Sequence, residues 1–261
     1  MKLRCALFST VLTAAVLAFT SIVTADPTTL PTTAPAGVLE PADVAAPKLG
    51  PDGQLNAHFE KMHESFLKRR TEGPIDVLFM GDSITEGWSG RGKAVWEKYY
   101  VPMNAVAFGI SGDRTQHVLW RIDNGELDGI SPKALVLLIG TNNIGYPAED
   151  ILRGDTKIVQ EIREKLPQTK VLIIGIFPRG ADPNDPLVAA MREKIATVNK
   201  GLAALSDGNM TRFLDLGDKF LTPDGKITKQ YMYDNVALHP NEAGYELWAE
   251  AMNPVLAEMM K

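Results

Sequence analysis

Cysteine is nearly absent from this chain. The single one, Cys5, precedes an apolar run instead of closing it, so it does not stand where a lipid-modified cysteine at a cleavage site would. A chain cut after that run has no disulfide, no thiol nucleophile and no thiolate metal site. Clusters of basic residues are missing too. Acidic residues outnumber basic ones 32 to 27, and the formal charge of −5 falls to −7 if Lys2 and Arg4 are removed. The electrostatics that hold proteins to phosphate backbones are therefore lacking, which sets nucleic acid aside as a partner. Histidine occurs only four times in 261 residues, so a base of that type comes from a short list. Rival chemistries lack their motifs: there is no Gly-x-Ser-x-Gly elbow, no Walker lysine after a glycine-rich loop, no His-Glu-x-x-His and no Gly-x-Gly-x-x-Gly.

What is present begins with a three-part leader. Lys2 and Arg4 precede an apolar run from about Ala6 to Val23, and Val23-Thr-Ala25 supplies small residues for cleavage. The expectation is a signal peptide over 1–25 and a secreted or periplasmic protein. The alternative is an uncleaved anchor, the one membrane connection the sequence offers. Residues 26–53, rich in proline, threonine and alanine, carry no helical or strand periodicity and read as a linker. Residues 54–261 read as one domain, since 45% hydrophobic residues suffice for a sizeable core.

Within that domain, short apolar runs at 75–80, 105–108, 134–139, 171–176 and 212–216 alternate with helical stretches at about 55–71, 92–99, 114–124, 148–165, 187–206 and 241–260. Runs apolar on both faces are what a parallel sheet covered by helices requires. The expected fold is α/β, a three-layer α/β/α sandwich with a five-stranded parallel sheet. Ligands in such folds bind beyond the carboxyl ends of the strands, so the loops there should carry the chemistry.

They carry distinctive residues. Val77-Leu-Phe-Met-Gly-Asp-Ser-Ile-Thr-Glu-Gly-Trp88 runs a buried strand into a Gly-Asp-Ser turn and a helix. Ser83 then sits on the first helical turn, beside backbone N–H groups and the positive end of the helix dipole. The competing reading is that Asp82 or Ser83 merely caps the helix. After the second run, Phe108-Gly-Ile-Ser-Gly-Asp-Arg-Thr115 holds Gly112, whose missing side chain lets a bare N–H approach a ligand. After the third, Gly140-Thr-Asn-Asn143 holds Asn142, whose amide can be aimed into the same crevice. Ser83 N–H, Gly112 N–H and Asn142 together would form an oxyanion hole. Structural roles compete nearby: Asp113 as a helix cap, Ser111 as a turn residue, Asn143 as a loop-ordering side chain. Of the histidines, His58 and His63 read as surface residues of the first helix and His117 as locally bonded. His239 stands in a polar loop ahead of Pro240 and after the fifth strand, placed to take a serine proton and return it to a leaving alcohol.

The blocks Gly81-Asp-Ser83, Gly109-Ile-Ser-Gly112-Asp113, Gly140-Thr-Asn142-Asn143 and the late His239 resemble the four blocks of the SGNH/GDSL hydrolases. Thr115-Gln-His-Val-Leu-Trp-Arg121 and Asn124-Gly-Glu-Leu127 are similar to the catalytic subunits of the type Ib platelet-activating-factor acetylhydrolases within that superfamily. The resemblance spans about 75–256 and implies a flavodoxin-like sheet, ester hydrolysis without metal or other cofactor, Ser83 as nucleophile, Gly112 and Asn142 as oxyanion donors and His239 as base. The family's acid usually stands three residues before the histidine, where this chain has Val236; the nearest acid is Asp234, five residues before it. Either a bulge returns Asp234 to the imidazole or a Ser–His pair acts with a backbone carbonyl orienting the ring.

The expected function is a secreted serine esterase removing short acyl groups, acetyl above all, from carbohydrate. The alternatives are a lysophospholipase or thioesterase using the same site, and a non-catalytic carbohydrate-binding or envelope module. Trp88, Trp120 and Phe177 are candidates for an aromatic wall or for core, and Arg179 for an anionic substrate or a pair with Asp182.

Overall fold

The computed structural model describes residues 40–227, 229–233 and 236–261. The expected signal peptide, and residues 26–39 of the expected linker, lie outside the described residues. Five strands form one parallel sheet: β1 (Val77–Gly81), β2 (Ala105–Gly109), β3 (Ala134–Leu138), β4 (Lys170–Ile174) and β5 (Thr211–Leu214). Their order is β2-β1-β3-β4-β5. The chain thus moves outward from β1 to β2, then crosses back to β3 on the other side, making a switch point between β1 and β3.

Among the described residues, seven α-helices cover the sheet: α1 (Ala57–Arg69), α2 (Ser83–Glu86), α3 (Lys93–Tyr99), α4 (Thr115–Asp123), α5 (Ala148–Lys165), α6 (Pro186–Ala203) and α7 (Glu242–Met259). The strand pleat sorts the core into two layers. Leu78 and Met80 of β1 pack on one face with Phe66 of α1, Leu119 of α4, Ile158 of α5 and Val198 of α6. Val77 and Phe79 pack on the other with Val95 of α3 and Trp248 of α7. Alternate residues of one strand thus feed opposite layers, and the α/β/α sandwich follows. No helix among the described residues is long and apolar enough to cross a membrane.

The described part of the expected linker corrects that reading. Ala42 is fully buried, its carbonyl accepts the Thr115 hydroxyl at 2.7 Å, and Ala46 N–H donates to Gln116 C=O at 3.1 Å. Asp43 pairs with Arg153 of α5 at 2.9 Å. The approach is so close that a Cβ on Gly154 would lie 2.6 Å from the Ala42 carbonyl oxygen. Residues 40–56 form a strap across α4 and α5, its backbone bonded to the start of α4 in place of a sheet, which is why no periodicity marks it.

Candidate active site

β1 ends at Gly81, and Asp82 turns the chain into α2 by accepting the Ile84 N–H at 2.9 Å. The capping reading of Asp82 therefore holds, and the cap is also what presents Ser83. Ser83 Oγ lies 2.9 Å from His239 Nε2, across 156 residues of sequence. The histidine is delivered by a short antiparallel bridge between Met232 and Pro240, with Tyr233 N–H donating to His239 C=O at 3.1 Å. Asn241 then caps α7 through Gly244 N–H at 3.0 Å. Inside the lengthened spacing, Ala237 turns left-handed at φ +48°, a conformation that costs a residue with a Cβ about 1–2 kcal/mol. Asp234, the acid implied by resemblance, lies outside the described residues.

The next loop closes through Asp113 N–H to Ile110 C=O at 3.1 Å, with Gly112 at φ +75° in its third position, where a turn of this kind calls for glycine. The Gly112 N–H has no protein acceptor among the described residues. Ser111 N–H is tied to Glu86 Oε2 of α2, in keeping with its expected turn role. Asn142, after β3, donates from Nδ2 to Asp113 C=O at 2.8 Å and at 3.3 Å to Asp82 Oδ2. Serine, glycine and asparagine thus come from the ends of three neighbouring strands at the switch point.

Behind them is a buried charge network. Arg121 of α4 is fully buried. It donates to Asp113 Oδ2 at 2.8 Å, to Glu126 at 2.8–3.0 Å, to Gly81 C=O at 3.2 Å and to Phe108 C=O at 2.6 Å. One planar guanidinium thereby fixes the ends of β1 and β2 together. His63 Nδ1 meets Glu126 Oε1 at 2.8 Å, so His63 is an inward member of this network and not a surface residue. Asp113 is likewise no helix cap: its carboxylate is buried against Arg121, while Asn143 Oδ1 accepts the Thr115 N–H that opens α4 at 3.0 Å. Burial raises the Asp113 carboxyl to about 6 against the pull of Arg121 and Lys48, leaving it ionised at neutral pH. Burial raises Asp82 to about 7. Asp155 of α5 is 2% exposed, neither carboxyl oxygen has a hydrogen-bond partner, and burial, with the Asp82 charge adding, holds its pKa well above the usual range.

His117 is bonded locally, as expected, accepting the Arg114 N–H at 3.1 Å, and burial lowers its pKa to about 3. His58 is half exposed and reaches Glu86 at 3.0 Å. Trp88 and Phe177 are core, and Trp120 packs against Phe59 and His63, so none of the three is a substrate wall. Arg179 does not pair with Asp182; it donates to Thr141 C=O at 3.1 Å, beside Asn142. Among the described residues no group of three or more His, Cys, Asp and Glu is placed to hold a metal ion.

Sequence reasoning did not assign Lys48, Glu86, Arg121 or Asp155. For Arg121 a signal existed, an arginine near the end of α4 with a glutamate five residues on, past the helix end. For Lys48 there was none.

The description "GDSL-like Lipase/Acylhydrolase family" belongs to the family pattern that matches residues 79–247. Over 210 residues the chain is 37% identical to the platelet-activating factor acetylhydrolase IB subunit alpha1 of Bos taurus, a match covering 80% of this chain and 87% of that one. Among solved structures, a GDSL-like lipase from Bacteroides thetaiotaomicron superposes with a TM-score of 0.61 at 19% identity, covering 75% of this chain and 97% of the other. An acetyl xylan esterase superposes at 0.54 with 22% identity, covering 70% and 100%.

Proposed function

Because the chain belongs to the GDSL-like lipase/acylhydrolase family and is an ester hydrolase, we propose that it removes short acyl groups, acetyl above all, from carbohydrate outside the cytoplasm. The observation that carries the serine mechanism is the 2.9 Å contact of Ser83 Oγ with His239 Nε2. Ser83 Oγ attacks the ester carbonyl carbon while its proton passes to Nε2. The carbonyl oxygen, now negative, meets the N–H groups of Ser83 and Gly112 and the Asn142 amide. The ester C–O bond breaks, the alcohol oxygen takes the proton from His239, and an acyl group remains on Ser83. A water then repeats the sequence, its proton going to His239 and from there to Ser83 Oγ, as the acid leaves.

Acetyl as the acyl group is supported by the name of the relatives at 37% identity, which are acetylhydrolases. Carbohydrate as the alcohol is supported by the three-part leader of residues 1–25, since an exported esterase meets glycans. The relatives' name favours a second reading, an acetylated phospholipid.

The test is hydrolysis of p-nitrophenyl acetate, butyrate and octanoate, then of acetylated xylan and platelet-activating factor, by the protein and by Ser83→Ala. Acetate is expected to be the preferred chain, with turnover lost about 10⁶-fold in the variant and xylan deacetylated faster than the phospholipid. Octanoate preferred over acetate would sink the short-acyl reading, and the reverse order of natural substrates would replace sugar by lipid.

A further inference from the structure

The strap ends in a small hairpin: Leu49 bridges Leu55, and Asn56 N–H donates to Lys48 C=O at 2.8 Å while its side chain caps α1. Lys48 is thereby fixed at the hairpin base, with its side chain reaching inward. Its ammonium donates to the Ser111 carbonyl and stands 3.5 Å from Asp113 Oδ1. A Cβ built on Gly112 would lie 3.0 Å from the same nitrogen. The side chain retains only 18% of its exposure.

Ser111 C=O and Gly112 N–H are two ends of one peptide unit. A cation bonded to the oxygen draws electron density toward it and makes the N–H a stronger donor, and bonds chained in this way reinforce one another in a low-dielectric setting. The opposite side of the same loop is held by Glu86 on Ser111 N–H. We propose that Lys48 is a positioning residue of the oxyanion hole: it polarises and orients the Ser111–Gly112 peptide so that Gly112 N–H faces the developing negative charge. The N-terminal strap is then part of the reaction machinery and not only a clasp. This rests on the serine-esterase reading of the site.

The test uses the full chain. Removing a direct oxyanion donor costs about 10²–10³ in kcat, and a cation one bond removed is expected to cost about tenfold. Lys48→Met should therefore lower kcat for p-nitrophenyl acetate about tenfold with KM within about twofold. Asp113 keeps its Arg121 partner, so Tm should not move. Lys48→Arg should recover most of the loss. Affinity for trifluoroacetone, whose adduct with serine carries an oxyanion, should fall in parallel with kcat/KM, a correlation that mere loosening of the strap does not produce. Lys48→Gln keeps a donor to Ser111 without the charge; it is expected to lose about threefold and serves if the methionine variant does not fold. Unchanged kcat in the neutral variants, a loss that arginine does not restore, or an unmoved fluoroketone affinity overturns the proposal. Absence of ester turnover in the unaltered protein instead overturns the reading beneath it.

Discussion

The two sides of the proposed catalytic pair, Ser83 and His239, are held in different ways. Ser83, Gly112 and Asn142 rest on a buried lattice of charge and amide contacts in which Arg121, Asp113, Glu126 and Lys48 are all engaged. His239 is carried by a loop that exposes Tyr233 and Val236, buries Met232, Ala237 and Leu238 in the apolar layer, and bends through left-handed Ala237. The contrast teaches that buried charge organises the serine side before any ligand arrives, whereas apolar packing of Met232, Ala237 and Leu238 anchors the loop that carries the histidine. Pre-organised dipoles act without reorganising as charge develops; a base must in addition pass a proton from one partner to the next.

The contrast can be broken first at Asp234. If this carboxylate orients the imidazole, Asp234→Ala should cost about 10⁴ in kcat, with small change in thermal stability, and the histidine side proves to lean on a charge as well. Activity near that of the unaltered protein removes the acid role and leaves a Ser–His pair. On the other side, Arg121→Met leaves Asp113 and Glu126 as buried charges without their main partner, and is expected to cost about 3–5 kcal/mol in urea unfolding. A loss below about 1 kcal/mol, the range of exposed ion pairs, would show that the lattice is not what holds the nucleophile side.

Asp155 sharpens the comparison with the smallest effect. Its folded-state pKa is raised by burial, so it penalises folding: the penalty is absent below the unfolded value near 4, grows as the unfolded chain gives up its proton, and levels off above the folded-state pKa. Asp155→Asn, which cannot ionise, should raise stability by about 1 kcal/mol at pH 7 and not at pH 3.5. Melting curves at the two values check the sign. A variant equally affected at both would make the role of Asp155 one of packing.

Much of this was legible in the chain. The five apolar runs became strands with ends no more than two residues from those expected, because burial on both faces leaves an unbroken hydrophobic record. Ser83, Gly112 and Asn142 stand in the loops that follow β1, β2 and β3, where the topology gathers them, and the loop between β5 and α7 brings His239 to Ser83. Polar residues whose partners are remote were not legible. His63 finds Glu126 63 residues away and Lys48 finds Asp113 65 residues away, and no local period encodes such pairs. The strap escaped notice for a related reason: its proline-rich composition matches that of a linker, and only Ala42 and its neighbours meeting α4 and α5 distinguish the two.

Tyr245 of α7 donates its hydroxyl to the Ile84 carbonyl at 2.7 Å, one residue from the nucleophile. During synthesis, Ser83 leaves the ribosome 156 residues ahead of its base, which at 5–20 residues per second is a delay of about 10–30 s. Through that interval the nascent chain carries a serine with neither proton acceptor nor the final helix to steady its turn. The order of the elements along the gene therefore acts as a clock, keeping the newborn polypeptide chemically silent until its last segment has docked.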